Sequence, residues 1–83
     1  MIITSKTPVL DLHNEIGDMV EVLVNEFIKD NVKMGNKYVA IIHGISGKVV
    51  KIRLYEVLKQ NKNVKSYKLN NWNLGQTIIE LVI

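Results

Sequence analysis

Val39-Ala40-Ile41-Ile42-His43-Gly44-Ile45-Ser46-Gly47-Lys48 is the stretch whose reading decides the fold: a short apolar run ends abruptly in an imidazole, two glycines and a lysine. It has the form of a strand emptying into a tight turn. From Lys48 to Gln60 apolar residues then fall at Val50, Leu54, Val57 and Leu58, the i, i+4, i+7, i+8 spacing of a helix buried along one side. The unit is therefore strand, glycine turn, helix. A helix that begins just after Gly47 turns unpaired backbone N–H groups and the positive end of its dipole toward the turn. An anion, phosphate first, is the natural guest there.

Gly-Lys after a strand invites comparison with a nucleotide-binding P-loop, but that motif needs four residues between its glycines and a Ser or Thr after the lysine. Two residues separate Gly44 from Gly47, and Val49 follows Lys48, which argues against an NTPase. The plainer alternative is that the two glycines only make a tight strand-to-helix connection, with His43 a polar cap on it.

Upstream, Met1 to Thr7 reads as an arm and Pro8 as the start of the ordered unit, giving an arm over 1–8 and one domain over 9–83. Val9-Leu10-Asp11-Leu12-His13 alternates with period two, so Leu10 and Leu12 point one way and Asp11 and His13 the other. That parity places a carboxylate beside an imidazole, where it would orient or polarise the ring; the alternative for Asp11 is a structural hydrogen bond to a neighbouring loop. Asp18 with Glu21 has the form of a capping box. The helix it opens has a buried face of Val20, Val24, Phe27 and Ile28, widened by Met19, Leu23 and Val32, and closes at Gly35. A strand-helix-strand crossover of this length makes the two strands parallel. His13 and His43 then stand at equivalent strand ends, and if the strands are neighbours both imidazoles open onto one edge of the sheet, where open α/β sheets place ligands. Beyond the second helix, Val64 to Lys68 alternates as a third strand, Asn70 to Gly75 reads as a loop, and Thr77 to Ile83 as a last strand antiparallel to the third. Trp72 in that loop is expected to fold back over the core edge, the other reading being a base-stacking role.

Composition narrows the classes. The 47% hydrophobic content marks a folded globule, and no apolar run approaches the roughly 20 residues that span a bilayer. With no cysteine there is neither a disulfide framework nor a thiolate metal site, and no HExxH spacing or other metal motif is present, so no metal or cofactor is indicated. Met1-Ile2-Ile3-Thr4 lacks the basic start of a secretion signal, and the expectation is a soluble, complete, cytoplasmic chain. The net charge of +3 conceals segregation: from Asp11 to Asp30, Asp11, Glu15, Asp18, Glu21, Glu26 and Asp30 oppose Lys29 alone, whereas from Lys48 to Lys68, Lys48, Lys51, Arg53, Lys59, Lys62, Lys65 and Lys68 face only Glu56. A polyanionic partner approached through the second half is favoured over plain solvation of a helix surface.

Leu10-Asp11-Leu12-His13, Ile41-Ile42-His43-Gly44, Val64-Lys65-Ser66-Tyr67 and Gly75-Gln76-Thr77-Ile78-Ile79-Glu80-Leu81 resemble, in order, the successive signatures of the small MutS-related (Smr) domain family, over about Val9 to Leu81. The resemblance implies an α/β (α+β sandwich) fold like the C-terminal domain of translation initiation factor three: β-α-β-α-β-β, a four-stranded mixed sheet with two helices on one face. Smr domains stand alone or end a MutS-like ATPase, and are described as nicking DNA endonucleases or as RNA-binding and RNA-cleaving modules in ribosome rescue. The resemblance thus implies a nucleic-acid partner, DNA or RNA, and an endonuclease or a derivative of one; the alternative is a catalytically inactive RNA-, ribosome- or protein-binding module. It carries catalytic roles to Asp11, His13 and His43. Phosphate contacts would come from Gly44, Ser46, Gly47, Lys48, Lys51 and Arg53, with Lys62, Lys65 and Lys68 on flanking phosphates. The chain departs from the family's His-Gly-x-Gly-x-Gly by placing Ser46 and Lys48 at the second and third glycine positions, and has Asn14 where glycine usually follows the first histidine. Ser46 and Lys48 retain a hydroxyl and a charge for phosphate but crowd a backbone that glycine leaves open.

Overall fold

The computed structural model describes residues 4–45 and 48–83. Elements run β1 (Val9–Asp11), α1 (Gly17–Lys33), β2 (Tyr38–Ile42), α2 (Lys48–Gln60), β3 (Val64–Asn70) and β4 (Asn73–Leu81). They form one four-stranded mixed sheet in the order β1-β2-β4-β3, with β1 parallel to β2 and the other pairings antiparallel.

Register decides what each face carries. Leu10 lies opposite Ile41, Ile41 opposite Thr77 and Thr77 opposite Leu69, so these residues share a face, joined by Val39, Ile79, Tyr67 and Leu81. Both helices lie on that face: Val20, Val24 and Ile28 of α1 and Val50, Leu54, Val57 and Leu58 of α2 close one cluster with Leu12, Val39, Ile41, Ile79 and Leu81. Asp11, Ile42 and Gln76 form a row of the opposite parity, on the sheet face away from the helices.

Helix α1 ends as its glycine predicts. Gly35 has φ of 75°, its N–H donates to Val32 O, and the Asn36 N–H reaches back to Asn31 O at 2.9 Å, a Schellman closure. Buried Asn31 seals it further, donating to Phe27 O and accepting from the Asn36 amide. The start of α1 differs from the expected capping box. The helix already begins at Gly17 after an extended Ile16, and no side chain caps it; Asp18 lies one residue inside, where it faces the dipole instead. Met19 is consequently turned outward, 41% exposed.

The last pair of strands also departs from expectation. Instead of a loop from Asn70 to Gly75, β3 and β4 meet in a two-residue turn, Asn71-Trp72, between the partners Asn70 and Asn73. Asparagine side chains supply the turn's hydrogen bonds: Asn70 Oδ1 accepts the Trp72 N–H and Asn73 Oδ1 the Gly75 N–H. Trp72 does not fold back over the core and is 96% exposed.

Gly75 is the tightest backbone contact. Its carbonyl accepts the N–H groups of His43 (2.8 Å) and Gly44 (3.0 Å), and a Cβ on it would sit 3.2 Å from Ile45 N and 3.3 Å from Gly44 Cα. Gly75→Ala is therefore expected to lower stability by about 1–3 kcal/mol, because backbone rather than a flexible side chain must yield. Gly17→Ala meets only Val49 Cγ1 at 3.9 Å and should be neutral or stabilising by up to about 1 kcal/mol. Urea unfolding of the two variants checks the contrast.

Candidate functional site

Strands β1 and β2 finish side by side: the Leu12 N–H donates to Ile42 O at 2.7 Å, after which one chain turns into α1 and the other into the glycine turn. Gly17 approaches Val49, so the β1–α1 connection lies against the first turn of α2. Because β4 is antiparallel to β2 and places Gln76 opposite Ile42, the β3–β4 turn reaches the same edge. Four segments converge on the carboxyl end of the parallel pair.

Asp11 and His13 form the exposed half of this site. Asp11 Oδ1 accepts the backbone N–H of His13 at 3.0 Å and its ring Nδ1–H at 2.5 Å. A carboxylate only accepts, so Nδ1 carries a proton, and in the neutral ring Nε2 is then the bare nitrogen, on a half-exposed side chain. The ring hydrogen bond first, and the backbone one second, hold the Asp11 carboxyl below its usual range. The arrangement fixes the orientation of the His13 ring and of its second nitrogen.

His43 is placed differently, and this corrects the expectation that both imidazoles open onto one edge. It follows Val39 and Ile41 in parity, so its ring turns beneath the helices and is fully buried, 0% exposed. Nδ1 lies 3.0 Å from Gly44 O, an acceptor, and must carry the proton. Nε2, 2.9 Å from Thr77 Oγ1, then accepts the threonine hydroxyl, and Thr77 Oγ1 in turn accepts the Tyr55 O–H at 2.9 Å. Three donors run in one direction: Tyr55 to Thr77, Thr77 to His43, His43 to the turn. Burial chiefly, with the nearby Lys51 charge adding to it, keeps His43 below the ordinary imidazole range despite the opposing pull of the Gly44 carbonyl.

Gly44 begins the turn with φ of 84°, a conformation suited to glycine. Ser46 and Gly47 lie outside the described residues. Lys48, exposed, is the first residue of α2, and no acid shares that first turn. Lys48 and Lys51 line a shallow groove with Ile52, Tyr55, Glu56 and Lys59, so the outer end of the buried hydrogen-bond chain meets a lysine-rich surface. Lys51 Nζ stands 5.7 Å from the centre of the Tyr55 ring. Arg53 is engaged elsewhere: its guanidinium pairs with Glu21 of α1 at 3.0 Å and Glu56 at 3.5 Å, tying the helices together. Lys65 lies 3.7 Å from Glu80 on the sheet. Among the described residues no three His, Asp or Glu side chains converge as metal ligands. Thr77 and Tyr55 were not singled out by sequence reasoning. Thr77 leaves a trace, as a hydroxyl in phase with Ile79 and Leu81 on the inward face; Tyr55 leaves none, because no helical spacing ties it to a partner on β4.

The geometry defines a small α+β domain that presents an oriented histidine beside a helix start. A family model, "Smr domain", matches residues 10–82. The endonuclease MutS2 of Ligilactobacillus salivarius (strain UCC118) is 34% identical over 76 residues, covering 88% of this chain and 10% of that protein. The endonuclease MutS2 of Aquifex aeolicus (strain VF5) is 38% identical over 72 residues, covering 80% and 9%. Among solved structures, the Smr domain of Thermus thermophilus MutS2 superposes with a TM-score of 0.87 at 18% identity, covering 93% of this chain and 100% of that one. YdaL, a stand-alone small MutS-related protein from Escherichia coli, does so at 0.86 and 21%, covering 95% and 70%. The chain belongs to the Smr domain family and spans about a tenth of the length of those MutS2 relatives.

The buried ring has a consequence for acid stability. His43 resists protonation when folded but not when unfolded, so the unfolded chain binds more protons once the pH falls below about 6.5, and stability should decline from there downward. The Asp11 contribution is lost only at lower pH, below the ordinary carboxylate value of about 3.9, which separates the two effects. Urea unfolding against pH, with ¹⁵N NMR of the imidazoles, checks this: His43 should keep its proton on Nδ1 and stay neutral at pH values where an unburied imidazole titrates.

Proposed function

We propose that this domain binds nucleic acid at the carboxyl edge of β1 and β2 and nicks its phosphodiester backbone, with His13 as the base. What carries this reading is the Asp11–His13 pair, a half-exposed imidazole oriented by its Nδ1–H bond to a carboxylate oxygen that the His13 backbone N–H also holds. The names of the MutS2 relatives support the reaction class, and the charge segregation of the chain supports a polyanionic substrate.

In the proposed step His13 Nε2 takes the proton of an attacking hydroxyl, from water or a ribose, as the new O–P bond forms. The bond from phosphorus to the leaving oxygen breaks, and that oxygen receives a proton from the imidazolium or from water. Asp11 holds the ring and stabilises its transient charge. Lys48, Lys51 and the start of α2 would offset charge on the phosphate oxygens. His43 acts as a positioning residue: it has no exposed nitrogen and instead fixes the carbonyl of Gly44. The same burial favours a second reading, in which the site binds a strand without cutting it, because only one imidazole is available for proton transfer.

The test is nicking of supercoiled plasmid and cleavage of structured RNA, with and without chelator. His13→Ala should lower cleavage by roughly 100-fold or more, and Asp11→Asn should lower it in the same direction. His43→Ala should lower stability along with activity. Binding by the parent without cleavage of either substrate would select the second reading, and cleavage that survives His13→Ala would overturn the first.

A further inference from the structure

We propose that Trp72 is a stacking platform for an unpaired base of a nucleic-acid strand lying along the glycine-turn edge; this rests on the nucleic-acid reading above and names the kind of strand. Trp72, at the tip of the β3–β4 hairpin, is 96% exposed. An indole normally finds cover in a core or an interface, so one left in solvent at a turn is unusual. The tip that carries it is well braced. Asn70 accepts the Trp72 N–H at 2.9 Å and donates to Gln76 Oε1 at 2.7 Å, and Asn73 closes the far side through the Gly75 N–H. Asn70 and Asn73 hold the turn's shape, and the flat ring of Trp72 is the largest group it exposes to a partner.

The platform stands at the candidate site. Gly75, three residues further on, accepts the N–H groups of His43 and Gly44, so hairpin and glycine turn are one backbone unit. Strand β4 is two places from β1 in the sheet, roughly 10 Å at ordinary strand spacing, and Trp72 lies four residues beyond Gln76, roughly 13 Å at strand rise, so a base on Trp72 would belong to a nucleotide a few positions along the strand from a phosphate held near His13. Exposed Ile45 and Leu74 flank the same edge and add apolar surface.

Charge selects a nucleic acid over a protein partner. From Ser66 to Gly75 the chain carries Lys68 and no carboxylate, and the first turn of α2 has Lys48 and Lys51 and no acid. A flat aromatic face among cations suits a base on a polyanion, because every base has a π-face and its phosphates answer the lysines. Within a duplex both faces of a base are covered by its neighbours. The ligand class is therefore a single strand, a bulge or a frayed end, DNA or RNA, rather than a continuous double helix.

Trp72 is the only tryptophan of the chain, so its own fluorescence reads the event. Emission of the free protein should be that of a solvated indole, and 12-mers of dT or rU should quench it, while a blunt duplex should not. Trp72→Ala should weaken binding of the single strands by roughly 5- to 100-fold and leave duplex binding and the melting temperature unchanged, with Trp72→Phe intermediate. Lys48→Ala/Lys51→Ala should weaken both kinds of ligand and flatten the salt dependence. Unaltered single-strand binding by Trp72→Ala, a lowered melting temperature, or lysine-dependent binding without quenching would each overturn the platform and leave the nucleic-acid reading standing. Failure of the parent to bind any of these nucleic acids at low salt would remove both.

Discussion

A polar ring in a dry interior must have its nitrogens answered, and much of the candidate site follows from how His43 meets that demand. A buried imidazole without partners would cost several kcal/mol, of the order measured for other unsatisfied polar groups. Here the cost is offset through Gly44 O, Thr77 and Tyr55, which lie on the turn, on β4 and on α2. Each partner also constrains the element that bears it. Thr77 must point inward, which agrees with its register opposite Ile41, and Tyr55 must lean toward the sheet, where it meets Tyr67 edge-on with ring centres 5.1 Å apart. The Gly44 carbonyl must face the ring, with φ of 84° at that residue. The exit of β2 at Gly44 is thus set from inside the protein.

The period-two rule then separates two histidines that sequence position seemed to unite. Both belong to the ends of neighbouring parallel strands, but His43 shares parity with Val39 and Ile41 under the helices, whereas Asp11 lies in the row of Ile42 and Gln76 on the other face. Acidity follows from location. The partially solvated pair keeps Asp11 ionised and leaves a nitrogen of His13 free, while the interior keeps His43 neutral. One imidazole is suited to exchanging protons with a ligand and the other to holding the backbone that such a ligand would approach.

The architecture was legible because its signals are periodic. Val50, Leu54, Val57 and Leu58 are the buried residues of α2, as their spacing required, and the crossover length carried the parallel pairing of β1 with β2. What was not legible came from contacts without a period. The side-chain chain from Tyr55 to His43 joins residues 34 and 22 positions apart, and nothing local announces it. The hairpin was masked by its composition: Asn70-Asn71-Trp72-Asn73 looks like a loop, yet two of its asparagines supply the bonds that shorten it to a two-residue turn. The site was half legible. Alternation showed that Asp11 and His13 share a face, whereas counting inward from Ile41 to His43 would have shown that His43 does not open outward with them.

On the proposed nucleic-acid reading, electrostatics limits how the domain would grip a strand. Of the basic residues in its second half, Arg53 is shared by Glu21 and Glu56, and Lys65 lies beside Glu80, whose strand partner Tyr38 is at the far end of β2 from His43. Lys59 is eleven residues along α2 from Lys48, roughly 16 Å at helical rise, and beyond the screening length of about 8 Å at physiological salt. Lys48 and Lys51, both in the first turn of α2, are the cations nearest the glycine turn along the chain. A strand neutralised at so few points would release few counterions, so the sequence-independent part of its affinity would be small and only weakly dependent on salt. On that reading the lysines would select a polyanion, while most of the affinity at this edge would come from contacts that salt does not screen, at the apolar rim and the Asp11–His13 pair.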